Sequence, residues 1–186
     1  MATPAPVCNP GTTVQGAIDD LLPGYIDITK VSTSLDGVML TVVFSLRELP
    51  SQITINKMEL RSGVGEIGWG VAIDSDNDPN TGGSSSHSPY GIGYNALLQA
   101  SHYKTAGGEQ TGAIEKLFSD KTNVWEFKPN GHYSVIANGT ISIDLQKSKT
   151  ISLTAKVRNI TLQSYLTFYT TYKTNNEQFS DILCER

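Results

Sequence analysis

Trp69-Gly70-Val71-Ala72-Ile73-Asp74-Ser75-Asp76-Asn77-Asp78-Pro79-Asn80-Thr81-Gly82 is the stretch on which the fold turns. From Ile67 to Ile73, large apolar residues alternate with Gly68, Gly70 and Ala72, the period of two expected of a strand whose large side faces a core. Its small side invites close packing. The strand runs straight into Asp74, Asp76 and Asp78 at alternate positions, with Asn80 continuing the series. Carboxylates so close together repel unless a cation or hydrogen-bond donors neutralise them, and hard oxygen ligands in one short loop suit calcium. This is no EF-hand loop: counted from Asp74, Pro79 stands where that loop needs glycine and Ser85 where it needs glutamate. Asp, Asn, Pro and Gly also build ordinary turns in water. Two readings therefore stand side by side, a calcium loop that borrows ligands from elsewhere and a solvated acidic turn.

Working outward, the same alternation recurs along the chain. Val38 to Leu46 follows the turn Leu35-Asp36-Gly37, with Val38, Leu40, Val42, Phe44 and Leu46 on one face, so Tyr25 to Ser32 and Val38 to Leu46 predict a hairpin. Ile53 to Arg61 reads as an edge strand, and Gly91 to Tyr103 as the return from the long loop 74–89. Ala113 to Phe118, Val124 to Lys128 and His132 to Ala137 read as a meander, and Asn138-Gly139 as a hairpin turn into Thr140 to Leu145. Lys149 to Val157 and Ser164 to Thr174 complete the set, and Val14 to Leu22 suggests one helical turn. About ten strands without a long helix predict an all-β, antiparallel β-sandwich, jelly-roll-like. Its expected core comprises Leu40, Val42, Phe44, Trp69, Val71, Ile73, Ile143, Leu153 and Phe168.

The 186 residues suit one domain. Residues 1–13, rich in Pro, Ala and Thr, read as an extended lead-in or linker, and residues 14–186 as the single sandwich. A net charge of -4 gives no footprint for nucleic acid. No apolar run is long enough to span a membrane, and the first residues lack the basic and apolar regions of a signal peptide. Cys8 and Cys184 lie far apart in sequence, but domain termini often meet at the surface. A disulfide between them, implying an oxidising compartment, is the favoured reading, and two separate thiols the other. Asn138-Gly139-Thr140 and Asn159-Ile160-Thr161 are glycosylation sequons, short enough to arise by chance.

The order of these features resembles the family nine carbohydrate-binding modules and their relatives, the DOMON-like domains, which are secreted bacterial β-sandwiches. The resemblance is carried by Tyr25-Ile26-Asp27-Ile28 with the Asp-Gly turn after it, the Trp69 strand ending in the acidic series, the return through Gly91-Ile92-Gly93-Tyr94-Asn95, and the late Asn-Gly-Thr turn. It implies a structural calcium site at Asp74, Asp76 and Asp78, with Asn80 and Asn95 as further ligands. Asn95 stands where such domains often carry an acidic residue. It also implies a non-catalytic, calcium-stabilised module, secreted or on the cell surface, that binds a polysaccharide or glycan. Sugar recognition needs aromatic platforms beside amides and hydroxyls. The tyrosines expected to be exposed for this are Tyr90, Tyr94, Tyr165 and Tyr169, while Trp69 and Trp125, alternating with apolar neighbours, are expected in the core.

No enzyme is expected, because no nucleophile with its base, catalytic metal set or paired carboxylates stands out. His87, His102 and His132 are scattered, and Glu115 and Glu126 make a weak glycosidase pair. Haem ligation by Met39 or Met58 is the reading of a DOMON relative, but Met39 falls opposite the apolar face of its strand. The alternative function is a protein-protein interaction or assembly module, using strand edges near Ile53 and Ser164 to contact neighbouring domains or a second copy.

Overall fold

The computed structural model describes residues 8–55, 65–83, 93–104, 109–127, 133–173 and 178–185. Among these, alternation of apolar and polar residues builds two facing antiparallel sheets. One has five strands in the order β1 (Thr13–Gln15), β2 (Ile28–Asp36), β3 (Met39–Leu46), β11 (Thr150–Lys156) and β10 (Thr140–Asp144). The other has six, in the order β13 (Gln178–Leu183), β12 (Tyr165–Lys173), β5 (Gly65–Asp74), β6 (Ala96–Lys104), β8 (Thr122–Phe127) and β9 (Tyr133–Asn138). A small pair, β4 (Gln52–Ile55) and β7 (Gln110–Ala113), precedes a single helical turn, α1 (Ile114–Phe118). The expected all-β antiparallel sandwich is thus present, with thirteen strands among the described residues instead of about ten. The additional ones, β1, β7 and β13, are short or break the alternation.

The strand opened by the acidic series lies inside the six-stranded sheet, between β12 and β6. Its large side, Ile67, Trp69, Val71 and Ile73, is fully buried against Leu40, Val42, Phe44, Leu153 and Phe168. Phe44 and Phe168 meet edge to face across the two sheets, with ring centres 6.4 Å apart. Each such large side chain contributes about 1.5–3 kcal/mol by leaving water. Ile143, at the margin of the five-stranded sheet, is only partly buried. α1 closes one end of the sandwich by laying Phe118 edge-on to Trp69 at 4.8 Å. The Trp69 indole N–H donates to the Tyr25 carbonyl at 2.9 Å, which satisfies the one polar atom of an otherwise apolar site.

Several local expectations are overturned. The strand expected over 113–118 is absent beyond Ala113, the last residue of β7; Ile114, Leu117 and Phe118 are buried at the i, i+3, i+4 spacing of α1. Gly24 to Ile26 form a turn, so the strand expected from Tyr25 begins at Ile28, and Asp27 before it is buried. Its carboxylate accepts from Arg47 Nε at 2.7 Å and faces the Asp19 amide, so an internal charge is met by an ion pair. In place of a helical turn over 14–22 there is β1 and a turn closed by Leu22 N–H to Asp19 O at 3.1 Å. Val38 lies in the β2–β3 turn with Gly37 and is exposed.

Asn138-Gly139 is not a hairpin turn, since β9 and β10 belong to different sheets. Gly139 is needed for closeness: a Cβ there would stand 2.7 Å from Thr122 Cγ2 and 3.0 Å from the Thr154 carbonyl. Residues 8–13 join the sandwich, with Cys8 buried and its carbonyl accepting from Leu166 N–H at 2.7 Å. Cys8 and Cys184 are disulfide-bonded, with Cα atoms 6.1 Å apart. Most of the expected edge strand over 53–61 lies outside the described residues.

Candidate functional site

At the C-terminal end of β5 the acidic loop folds on itself. Asp74 is buried, and its carboxyl and that of Asp76 are hydrogen-bond neighbours. Two carboxyls in contact need a shared proton or a cation between them. Burial opposes ionisation of Asp76, but hydrogen bonds from Asp74, the Thr81 hydroxyl and the Asp78 backbone outweigh it and hold the carboxyl below the usual carboxylate range. Asp78 turns the other way: its Oδ1 accepts from the Asn80 backbone N–H at 2.9 Å and the Asn80 side-chain amide at 2.8 Å. Asn95 Oδ1 accepts from Ser75 N–H at 2.7 Å and from the Ser75 hydroxyl at 2.8 Å.

Asp74 and Asp76 thus converge, while Asp78, Asn80 and Asn95 are engaged within the loop frame. Among the described residues no three of His, Cys, Asp or Glu gather closely enough to hold an ion. The frame itself is tight. Gly83 N–H donates to Tyr94 O and Gly93 N–H to Gly83 O, both at 2.8 Å, which ties the two flanks of the loop together. Gly93, at φ 80°, passes so close that a Cβ would stand 2.6 Å from Pro79 Cα and 3.2 Å from Asp74 Oδ2, so only glycine fits.

The expected tyrosines are dispersed. Tyr90 lies outside the described residues. Tyr94 is buried, its ring edge-on to Phe127 at 5.2 Å and pressed on Gly83. Tyr165 is half-buried on β12, opposite Asp74. Tyr169, expected to be exposed, is only 2% exposed, and Thr167 and Thr171 beside it on the same face are buried as well. The reason is the small side of β5, because Gly70 leaves room for the Tyr169 ring, whose hydroxyl then donates to Gln99 Oε1 at 2.7 Å.

Sequence reasoning placed Trp125 in the core, and the structure places it on the outer face of the six-stranded sheet. Register runs Thr167–Ala72–Leu97–Trp125–Val135 in one row and Tyr169–Gly70–Gln99–Asn123 in the next. Val124, on the opposite face of β8, is the fully buried member. Trp125 is half-buried and meets Tyr133 edge to face at 5.4 Å. Tyr133 is 64% exposed and Val135 46%. The β8–β9 margin therefore presents an aromatic pair next to the amides of Asn123 and Gln99. Tyr133 was missed although its strand was expected and pairs with its sequence neighbour β8, because nothing in the spacing of 132–137 sets it apart from the other tyrosines. Elsewhere, His102 Nε2 bonds Gln110 Oε1 at 3.2 Å beside Phe118, and Glu115 is exposed on α1.

Compared with known proteins, the chain matches no family model and no curated protein sequence.

Proposed function

We propose that the protein is a non-catalytic, calcium-stabilised β-sandwich module of an extracellular or cell-surface setting that binds carbohydrate on the outer face of its six-stranded sheet. The observation that carries this reading is the pair of half-buried Trp125 and exposed Tyr133 on the outer face, one register row from Asn123 and Gln99. An aromatic face takes the apolar C–H side of a sugar ring, and adjacent amides bond its hydroxyls. Tyr169 contributes as a positioning residue, since its hydroxyl fixes the Gln99 amide. Of the tyrosines first expected to touch ligand, Tyr165 keeps partial exposure, and Tyr94 supports the loop. The Cys8–Cys184 bond fits an oxidising compartment. Among the described residues no helix is long and apolar enough to cross a membrane.

Calcium belongs to this reading as the ion that would satisfy Asp74 and Asp76, with loop carbonyls and, after side-chain rotation, Asp78 and Asn80 as further ligands. Asn95 would act through Ser75. The ion supplies charge neutralisation and holds the loop. The resemblance to family nine carbohydrate-binding modules and DOMON-like domains points the same way.

A polysaccharide and glycan binding screen, run with calcium and with a chelator, tests both parts. Tyr133→Ala and Trp125→Ala should each weaken a glycan hit about tenfold or more, and an undiminished double variant would end the platform reading. Saturating calcium should raise stability by about 2.7 kcal/mol at a hundredfold excess over Kd, and Asp76→Ala should abolish that gain. Melting indifferent to calcium and chelator alike would leave the series as a solvated turn. A second reading, an assembly module, draws on the same exposure of Tyr133 and Val135 on the open edge of β9. Concentration-dependent self-association lost in Val135→Lys would favour it.

A further inference from the structure

β8 carries different chemistry on its two faces. Trp125 and Asn123 stand on the outer face, whereas Val124 is fully buried on the inner one and Glu126 takes the next inward register position, opposite buried Ala96. A carboxylate at an inward position is costly unless something meets it. At this end the two sheets part, and Glu126 lines a pocket of about 90 Å3 whose apolar floor includes Ala96 and Ile136 and whose polar wall includes Asn95, Arg158 and Asn159. The bulge in β9 opposite Val124 and Trp125 turns Ile136 inward to make part of that floor.

Arg158, itself exposed, comes from the segment after β11, whose backbone is anchored on either side of it. Val157, buried, donates its N–H to Val38 O at 2.9 Å, and Ile160 is buried two residues on. Between these anchors Asn159 adopts the left-handed conformation at φ 59°. Glu126 and Arg158 thus line one pocket with opposite charges. Among the described residues neither forms an ion pair or a side-chain hydrogen bond.

An anion and a cation kept apart across a small space complement a ligand bearing both charges. The space is small, about 90 Å3, and its opposite charges suit an ammonium and a carboxylate on one carbon. Asn95 strengthens the match: its Oδ1 is taken by Ser75, so its amide N–H groups are the part left to donate. We propose that this pocket binds the head group of an α-amino acid, the ammonium on Glu126 and the carboxylate on Arg158 and Asn95, with the ligand side chain directed to solvent. The site shares no residue with the glycan platform, so those two readings stand or fall separately, and only Asn95 with Ser75 is common to it and the calcium loop.

The test is a titration of the 15N-labelled protein with glycine, acetate and methylamine, followed by backbone amide shifts. Glycine should give saturable shifts at Asn95, Glu126 and Asn159, and acetate or methylamine alone should bind at least about tenfold more weakly. Glu126→Gln and Arg158→Gln should each weaken glycine by about tenfold or more, with the rest of the spectrum unchanged as proof of folding. Shifts that fail to saturate with glycine, acetate that matches glycine, or variants that bind glycine as the wild type does would each overturn the proposal.

Discussion

Asp181 is a carboxylate that the fold partly strips of water. Burial pushes its pKa up, the Ile28 N–H that it accepts at 2.6 Å pulls it down, and nearby Asp27 pushes it up again, with a raised value as the outcome. A group whose folded pKa lies above its unfolded one holds its proton more tightly when folded. Its contribution to stability is therefore intact below about pH 4 and is lost as pH rises through the folded value. Asp181→Asn keeps an acceptor for Ile28 and cannot ionise. The variant should melt with the wild type near pH 3 and above it near pH 7; a wild type that melts higher at pH 7 would refute this. Such residue-level facts were the least legible in the sequence. Tyr169 sits at an outward position and reads as exposed, yet it is covered because Gly70, on the neighbouring strand, offers its ring a seat. Trp125 reads as core by its size, but the core position belongs to Val124, and only pairing with β6 and β9 decides between the two.

Among the elements, β3, β5 and β11 were legible because each has one apolar face and the register repeats it across the sheet, as in Phe44 opposite Ile151 and Val42 opposite Leu153. α1 was misread although Ile114, Leu117 and Phe118 carry helical spacing, because five residues are too few for a period to stand out. The acidic loop was legible as a loop and as a cluster of charge, while the turn of Asp78 toward Asn80 depends on rotamers that no spacing encodes. The passage from β9 to β10 shows the limit of local motifs. Asn-Gly commonly closes hairpins, but here its glycine admits Thr122 and Thr154 from both sheets. Gly139→Ala should cost about 1–3 kcal/mol by overpacking, measured by urea denaturation. Thr122→Ser, which removes the methyl nearest the new Cβ, should recover part of that loss; equal costs with and without Thr122→Ser would show that the clash is not the cause.

For the molecule as a whole, the covalent link between Cys8 and Cys184 encloses almost all of the sandwich, with a sequence separation of 176. Closing so large a loop in the unfolded chain is worth about 5 kcal/mol on the chain-entropy view. Replacing both cysteines with serine should lower the melting temperature by roughly 10–20 °C, and a shift of a degree or two would place the stabilisation elsewhere. The same link decides how the molecule behaves under tension. Because the two Cα atoms lie 6.1 Å apart, a pull applied through the polypeptide on either side of them is carried by the sulfur bridge and bypasses both sheets. In a single-molecule stretching experiment the oxidised protein should show no unfolding step between these points. Reduction should release roughly 600 Å of contour, turning an inextensible bead on a line into a spring.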